Sequence, residues 1–253
     1  MDAILWVIRK KYSDVSHIST ESLAQWLSVP VEPVCGLHVQ DSCRVQVNDG
    51  IHSQEAHVND TSKDNTTDIR ESFEKDLDSL VLKERSQCNC SSKSKSDSAE
   101  GYLASKGVVI LFDVRSECEY EVSHLQGARR VDDTIDNEEL TELLKECMGI
   151  QSTAEGSTLG SSLPNEATED PFKIVCYCSL GYRSSDLARK IIKQLKNMHL
   201  SNPVEVYNLE GSIFKWANEN RELIKSNGEK TKFVHPYNYT FGLTLREELR
   251  KYE

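Results

Sequence analysis

Residues 173–191, KIVCYCSLGYRSSDLARKI, change from strand to helix character within a few positions. Lys173 to Tyr177 read as a buried strand, apolar from Ile174 onward, and the last five residues carry the spacing of a helix. Between them, CSLGYR puts Cys178 where the strand ends, with four residues separating it from Arg183. In an open parallel α/β sheet, ligands bind just beyond the carboxyl ends of the strands, where the next helices begin. Cys178 occupies such a place.

The flanking sequence agrees with this reading. VVILFDV (108–114) is a continuous apolar run, as expected of a strand covered on both faces. NEELTELLKECM (137–148) reads as a helix and FKIVCY (172–177) as a strand. A helix over 183–197, the strand VEVYNL (204–209) and the helix SIFKWANENRELIK (212–225) follow. Strands alternating with helices imply a parallel sheet with helices on both sides. Near the N-terminus, AILWVIRKKY carries a helical stripe through Ile4, Leu5, Ile8 and Tyr12. HISTESLAQWL then opens with a short strand at Ile18, and Ser19 or Thr20 caps a helix bearing Leu23, Trp26 and Leu27.

One long segment departs from this texture. Over residues 33–105, Ser, Asp, Asn, Lys and Glu dominate, and Phe73 and Tyr102 are the aromatics. Such a chain buries too little apolar surface to offset its ordering entropy, so most of it is expected to be disordered. Within it, Ile69, Phe73, Leu77, Leu80 and Val81 fall at helical spacing and predict a helix that docks or fluctuates. The expected organisation is therefore a helix with a first strand and helix at 1–32, an acidic, Ser-rich insertion at 33–105, the main domain at 106–226, and an extension at 227–253. A second acidic loop, rich in Gly and Ser, separates residue 148 from the strand at 172.

The net charge of −11 argues against nucleic-acid binding and against anionic membranes. No run of about 18 apolar residues exists to span a bilayer. The N-terminus, with Asp2 and Asp14 around a short apolar stretch, does not read as a secretory signal. Eight irregularly spaced cysteines then point to a reducing, cytoplasmic setting with a reactive thiol rather than a disulfide framework.

The loop itself predicts chemistry. It runs into a helix N-terminus, where unpaired N–H groups and the helix dipole favour an anion. Gly181 allows a backbone conformation in which the N–H groups of Ser179, Leu180, Gly181, Tyr182, Arg183 and Ser184 form a nest. That setting favours the thiolate, the nucleophilic form of Cys178. Arg183 adds a permanent cation suited to an oxyanion.

Three stretches taken together resemble the rhodanese domain: ILFDVRSECEYEVSHLQGAR, IVCYCSLGYRSSDLARKI and VYNLEGSIFKWANEN. The pieces that carry the resemblance are D-V-R after a strand, S-H-L-x-G-A, the C-x-x-G-x-R-S loop, and N-L-E-G-S-I-x-x-W, where many members have a second Gly. DVSHISTESLAQWL is similar to the usual first strand and helix of that domain. The resemblance implies a three-layer α/β/α fold with a five-stranded parallel sheet, interrupted by the insertion. Phosphatases of this chemistry place five residues between Cys and Arg, whereas sulfurtransferases have the four found here. It therefore implies that Cys178 takes sulfur from a sulfane-sulfur donor as a persulfide and passes it to a thiol or other nucleophile, without cofactor or metal. Many thiosulfate-using members carry Arg directly after the cysteine, where this chain has Ser179. Alternatives are a non-catalytic scaffold, with the insertion binding a protein partner, and a phosphatase or arsenate reductase of the same fold.

Other residues have simpler readings. Asp113 and Arg115 of the D-V-R motif are expected to orient the strand-end loops, and His124 to be a hydrogen-bonded structural histidine. Cys176 reads as a small buried hydrophobe rather than a resolving thiol. Cys35, Cys43, Cys88 and Cys90, with His38, His52 and His57, lack the paired spacing of a zinc site. Ile213, Phe214 and Trp216 are expected in the core. The tail KFVHPYNYTFG resembles the V-H-P-Y-N-x-x-W-G extension of some rhodanese domains, with Phe241 in the Trp position.

Overall fold

A computed structural model describes residues 1–28, 102–104, 107–150, 172–198, 200 and 204–252. The insertion's expected helix at 69–81 and the cysteines and histidines at 35–90 lie outside the described residues.

The sheet grows from β3 (Gly107–Asp113) and β5 (Phe172–Tyr177), which run parallel with Leu111 opposite Val175. β6 (Val204–Leu209) adds on the far side of β5, and β1 (Ser16–Ile18) adds beyond β6, both parallel. On the other edge, β4 (Ala128–Arg130) pairs parallel with the end of β3. The parallel order is thus β1-β6-β5-β3-β4, the five-stranded arrangement expected. A sixth strand, β2 (Tyr102–Ala104), pairs antiparallel with the first residues of β3. It lies in the tail of the segment expected to be mostly disordered, where the short run YLA just before β3 folds back on it.

Alternation along the strands divides the core between two faces. Ile110, Phe112, Ile174, Cys176 and Val206 share a cluster with Leu140 and Leu144 of α4 (Asn137–Cys147), Leu187 and Ile191 of α5 (Tyr182–Met198), and Ile8 and Tyr12 of α1 (Asp2–Lys11). The intervening positions, Val109, Leu111, Val175 and Tyr177, are as completely buried. Both faces of the sheet are therefore covered, which is why the runs 108–112 and 174–176 are continuously apolar. On the other side lie α2 (Thr20–Leu27) and α6 (Ser212–Asn218), which touch one another.

The helix starts follow local chemistry. The Ser19 hydroxyl caps α2 by accepting from Ser22 N–H at 3.0 Å, and Asp136 caps α4 through the N–H groups of Glu138 and Glu139. A reciprocal capping box of Ser116 and Glu119 starts α3 (Glu117–Val122). The helix read over 212–225 is shorter than its periodicity suggests. It ends at Asn218, because Asn220 takes a left-handed conformation and the chain turns. Leu223–Ile224 then forms β7 against β8 (Lys230–Thr231), and the Trp216 indole donates to the Glu222 carbonyl across the turn. Ile213, Phe214 and Trp216 are core residues, as expected.

Candidate active site

The carboxyl ends of β3, β5 and β6 converge on Cys178. Its backbone N–H donates to the Ser212 hydroxyl at 3.2 Å, and its carbonyl accepts from Ile213 N–H at the start of α6. The nucleophile is thus clamped between β5 and the turn after β6. Ser212 occupies the place where the related motif often has glycine, and its backbone is left-handed at φ 48°. Its hydroxyl also donates to the Leu209 carbonyl at 3.1 Å. These two hydrogen bonds offset a conformation that costs a non-glycine residue about 1 kcal/mol or more.

The Cys178 side chain is buried, and two polar groups lie against its sulfur. Gly181 N–H lies 3.1 Å from Sγ, and the Ser184 hydroxyl lies 3.4 Å away. The Gly181 N–H can point inward because Gly181 takes φ +116°. A Cβ there would sit 3.1 Å from the Asn208 amide nitrogen, so a side chain would be both strained and crowded. Ser184 is fully buried and hydrogen-bonds Asn208 Oδ1 at 2.7 Å.

Arg183 is arranged differently from the sequence expectation. Its terminal nitrogens donate to Glu119 at 3.0 and 2.9 Å, and Nη2 also donates to the Ser179 hydroxyl at 3.0 Å. Ser179 in turn donates to Glu119 at 2.9 Å. Both charged side chains are almost wholly buried, so the cation faces an internal carboxylate 64 positions away in sequence. The physical reason is that a guanidinium in the interior needs a counter-ion and filled hydrogen bonds. Burial alone would raise the Glu119 carboxyl, but Arg183, Arg115 and the Ser116 N–H bring it down to about 2. Sequence reading missed Glu119, although S-E-C-E at 116–119 is a capping-box pattern that marks a paired glutamate.

The remaining expected residues fall into supporting places. Arg115 forks onto Asp113 through Nε and Nη2, at 2.9 and 2.7 Å to the nearer oxygens, and also holds the Ser123 carbonyl. The two charged residues of D-V-R are thus paired with each other at the end of β3. His124 stacks on Tyr120, and its backbone pairs with Ile224, which ties β7 to the site. Leu180 is buried, whereas Tyr182 turns away to meet Tyr12 edge-on and Lys11. The Cys176 thiol is pushed up by burial, with Cys178 adding to the effect, so it is a poor nucleophile. Among the described residues no group of three or more His, Cys, Asp or Glu side chains is placed to hold a metal. Among them also, no helix is long and apolar enough to cross a membrane.

The C-terminal extension closes over this constellation. The Tyr237 ring lies 4.5 Å from the Arg183 guanidinium, stacks on the buried Phe241, and sits on a left-handed backbone at φ 63°. Tyr237 N–H donates to His235 Nδ1 at 3.1 Å, and the His235 ring is held below its ordinary range by burial. The sequence offered the aromatics of this tail but not their partner.

Comparison with known proteins gives one family. Residues 95–219 match the rhodanese-like domain. β1 and α2 lie outside the match, yet β1 adds a parallel strand to the sheet beside β6. No curated protein matches the chain. Among solved structures, it is similar to a thiosulfate sulfurtransferase from Pseudomonas aeruginosa, at 16% identity over 48% of this chain and TM-score 0.29; it spans 17% of that protein. It is also similar to a rhodanese-related protein from Thermoplasma volcanium, at 17% identity over 46% of this chain and 83% of the other, with TM-score 0.27. A rhodanese with anions from E. coli shows 19% identity over 42% of this chain and 88% of the other, with TM-score 0.23. These distant likenesses add nothing to the reading of the chemistry.

Proposed function

This chain carries a rhodanese-like domain, and on that premise we propose that it is a sulfurtransferase or sulfur carrier with Cys178 as its nucleophile. The observation that carries the reading is the Gly181 N–H aimed at Sγ from a four-residue loop, with the Ser184 hydroxyl beside the sulfur. In the first half-reaction the thiolate attacks the outer sulfur of a sulfane-sulfur donor. The bond between that sulfur and the rest of the donor breaks, and its electron pair leaves with the donor remnant. Cys178 then carries a persulfide, whose terminal sulfur is attacked by an acceptor thiolate. Breaking the persulfide S–S bond returns its electron pair to Cys178. The sulfur moves without any external oxidant or reductant, in a ping-pong sequence.

The electrostatics support sulfur over phosphorus. A phosphoryl group brings a dianion and needs an uncommitted cation. Here the Arg183 charge is matched by Glu119 within the fold, and neutral dipoles face the sulfur. Such dipoles suit a singly charged, polarisable persulfide.

Intact mass tests the proposal. After incubation with polysulfide or thiosulfate, the protein should gain one sulfur at Cys178, and reduction should remove it. Failure to gain sulfur from any donor, in folded protein, would refute transfer and favour a scaffold.

A further inference from the structure

A chain of side chains leads from the nucleophile to the opposite strand edge of the site. The Ser184 hydroxyl touches Cys178 Sγ at 3.4 Å and Asn208 Oδ1 at 2.7 Å. The other end of the same amide, Asn208 Nδ2, lies 3.1 Å from His17 Nδ1. Ser184 and Asn208 are buried and His17 is half-buried. The parallel register sets these contacts, because β1 pairs with β6 so that His17 stands opposite Asn208.

We propose that Asn208 and His17 are positioning residues that decide whether Ser184 donates its hydrogen bond to Cys178. The reasoning is a count of protons. Ser184 has one hydroxyl hydrogen and two acceptors, Sγ and Asn208 Oδ1. When His17 is neutral, its Nδ1 accepts from Asn208 Nδ2, so its own proton is on Nε2. Asn208 Oδ1 then faces Ser184 and takes the hydroxyl hydrogen. Sγ keeps the bond from Gly181 and lacks the one from Ser184.

Protonation of His17 reverses every link. Nδ1 becomes a donor and opposes the Asn208 NH₂ group. A half-turn of the amide relieves this: Oδ1 accepts from His17, and Nδ2 donates to Ser184. The Ser184 hydrogen is then free to turn to Sγ, giving the thiolate or persulfide a second donor. The proton enters from solvent at His17, and no covalent bond changes.

The surroundings of His17 leave this equilibrium open. Its Nε2 is buried without a hydrogen-bond partner among the described residues. Burial lowers its affinity for a proton; the Tyr12 carbonyl and Glu210 oppose that effect, and Arg9 reinforces it. Arg9 and Glu210 are themselves paired. The switch therefore operates below the ordinary histidine range and favours the doubly bonded sulfur on the acid side.

The inference rests on Cys178 as the nucleophile of the proposed function, but its test needs no sulfur transfer. Alkylation of Cys178 by iodoacetamide, an uncharged electrophile, is followed in the full chain by peptide mass spectrometry between about pH 4 and 8. NMR supplies the titration of His17. The alkylation rate should rise with the thiolate fraction but lag by about fivefold across the His17 titration, as one hydrogen bond to sulfur is lost. His17→Gln should abolish the lag. Asn208→Leu should abolish it while His17 still titrates, which a direct through-space effect of the His17 charge would not do. The Gly181 amide resonance, read in the same titration, reports the coupling even if alkylation is slow. It should follow His17 in the unmodified sequence and stop doing so in His17→Gln. A rate and a Gly181 resonance that ignore His17, or a lag that survives in Asn208→Leu, would overturn the proposal. Sulfur uptake that fails while the lag persists would instead count against the proposed function alone.

Discussion

Replacing Glu119 with glutamine keeps the side chain's shape and removes its charge, and the structure sets what that costs. Glu119 and Arg183 are 3% and 8% exposed, so neither can recover its solvation where it stands. The carboxylate accepts from two Arg183 nitrogens, the Ser179 and Ser116 hydroxyls and the Ser116 N–H, all within 3.0 Å. An amide offers one acceptor oxygen and turns an NH₂ group toward these donors. Breaking a buried pair by neutralising one partner costs about 3–5 kcal/mol, which corresponds to a fall in Tm of about 10 °C for a domain of this size. Thermal or urea denaturation measures it directly. Glu119→Leu combined with Arg183→Met should be markedly more stable than Glu119→Leu alone, because no charge is then stranded. The pH dependence has a definite sign. Folding lowers the Glu119 carboxyl from its ordinary 4.5 to about 2, so its contribution is full above about 4.5 and is lost as pH falls toward 2. Glu119→Gln should flatten that part of the stability profile. A loss below about 1 kcal/mol, or a double variant no better than the single, would refute the claim that this ion pair holds the loop.

Other outcomes follow from the same geometry. Cys178→Ser should retain the fold, since the site already accommodates a small buried side chain, and should lose persulfide formation; continued sulfur uptake in intact mass would move the nucleophile elsewhere. Ser212→Ala keeps the left-handed strain but loses the contact to Cys178 N–H, so it should cost about 1–2 kcal/mol in denaturation. Ser212→Gly, which relieves the strain as it loses the same contact, should cost less; the reverse ranking would refute the strain argument. Replacing residues 33–99 with a Gly/Ser linker of about twenty residues should leave Tm and sulfur uptake unchanged, because each doubling of loop length costs only about 0.6 kcal/mol. A substantial drop in Tm would show that this segment contributes to the fold.

Features written within one stretch of chain were legible from sequence. The runs at 108–114 and 172–177 read as strands covered on both faces, because their length and mainly apolar, β-branched composition suit a buried parallel strand. Cys178 at a strand end, Gly181 in the loop and a helix directly after it are features of one short stretch, and the Gly181 N–H that reaches the sulfur follows from its local backbone geometry. Ser19 as the α2 cap and the D-V-R fork of Arg115 onto Asp113 are likewise contacts within two or three residues.

Partners brought together across the chain were decided by the tertiary structure. Arg183 read as a free cation because its counter-ion lies 64 positions away, on a helix that packs beside the loop only once β3 and β5 have paired. The full length of α6 could not be read from periodicity, since its end is set by the pairing of β7 with β8 and the bridge from Ile224 to His124. The Ser184–Asn208–His17 chain exists because a three-residue strand from the N-terminus registers against β6. A local pattern states what a segment prefers, but the charge and proton balance of a buried site depends on which distant segments are folded against it.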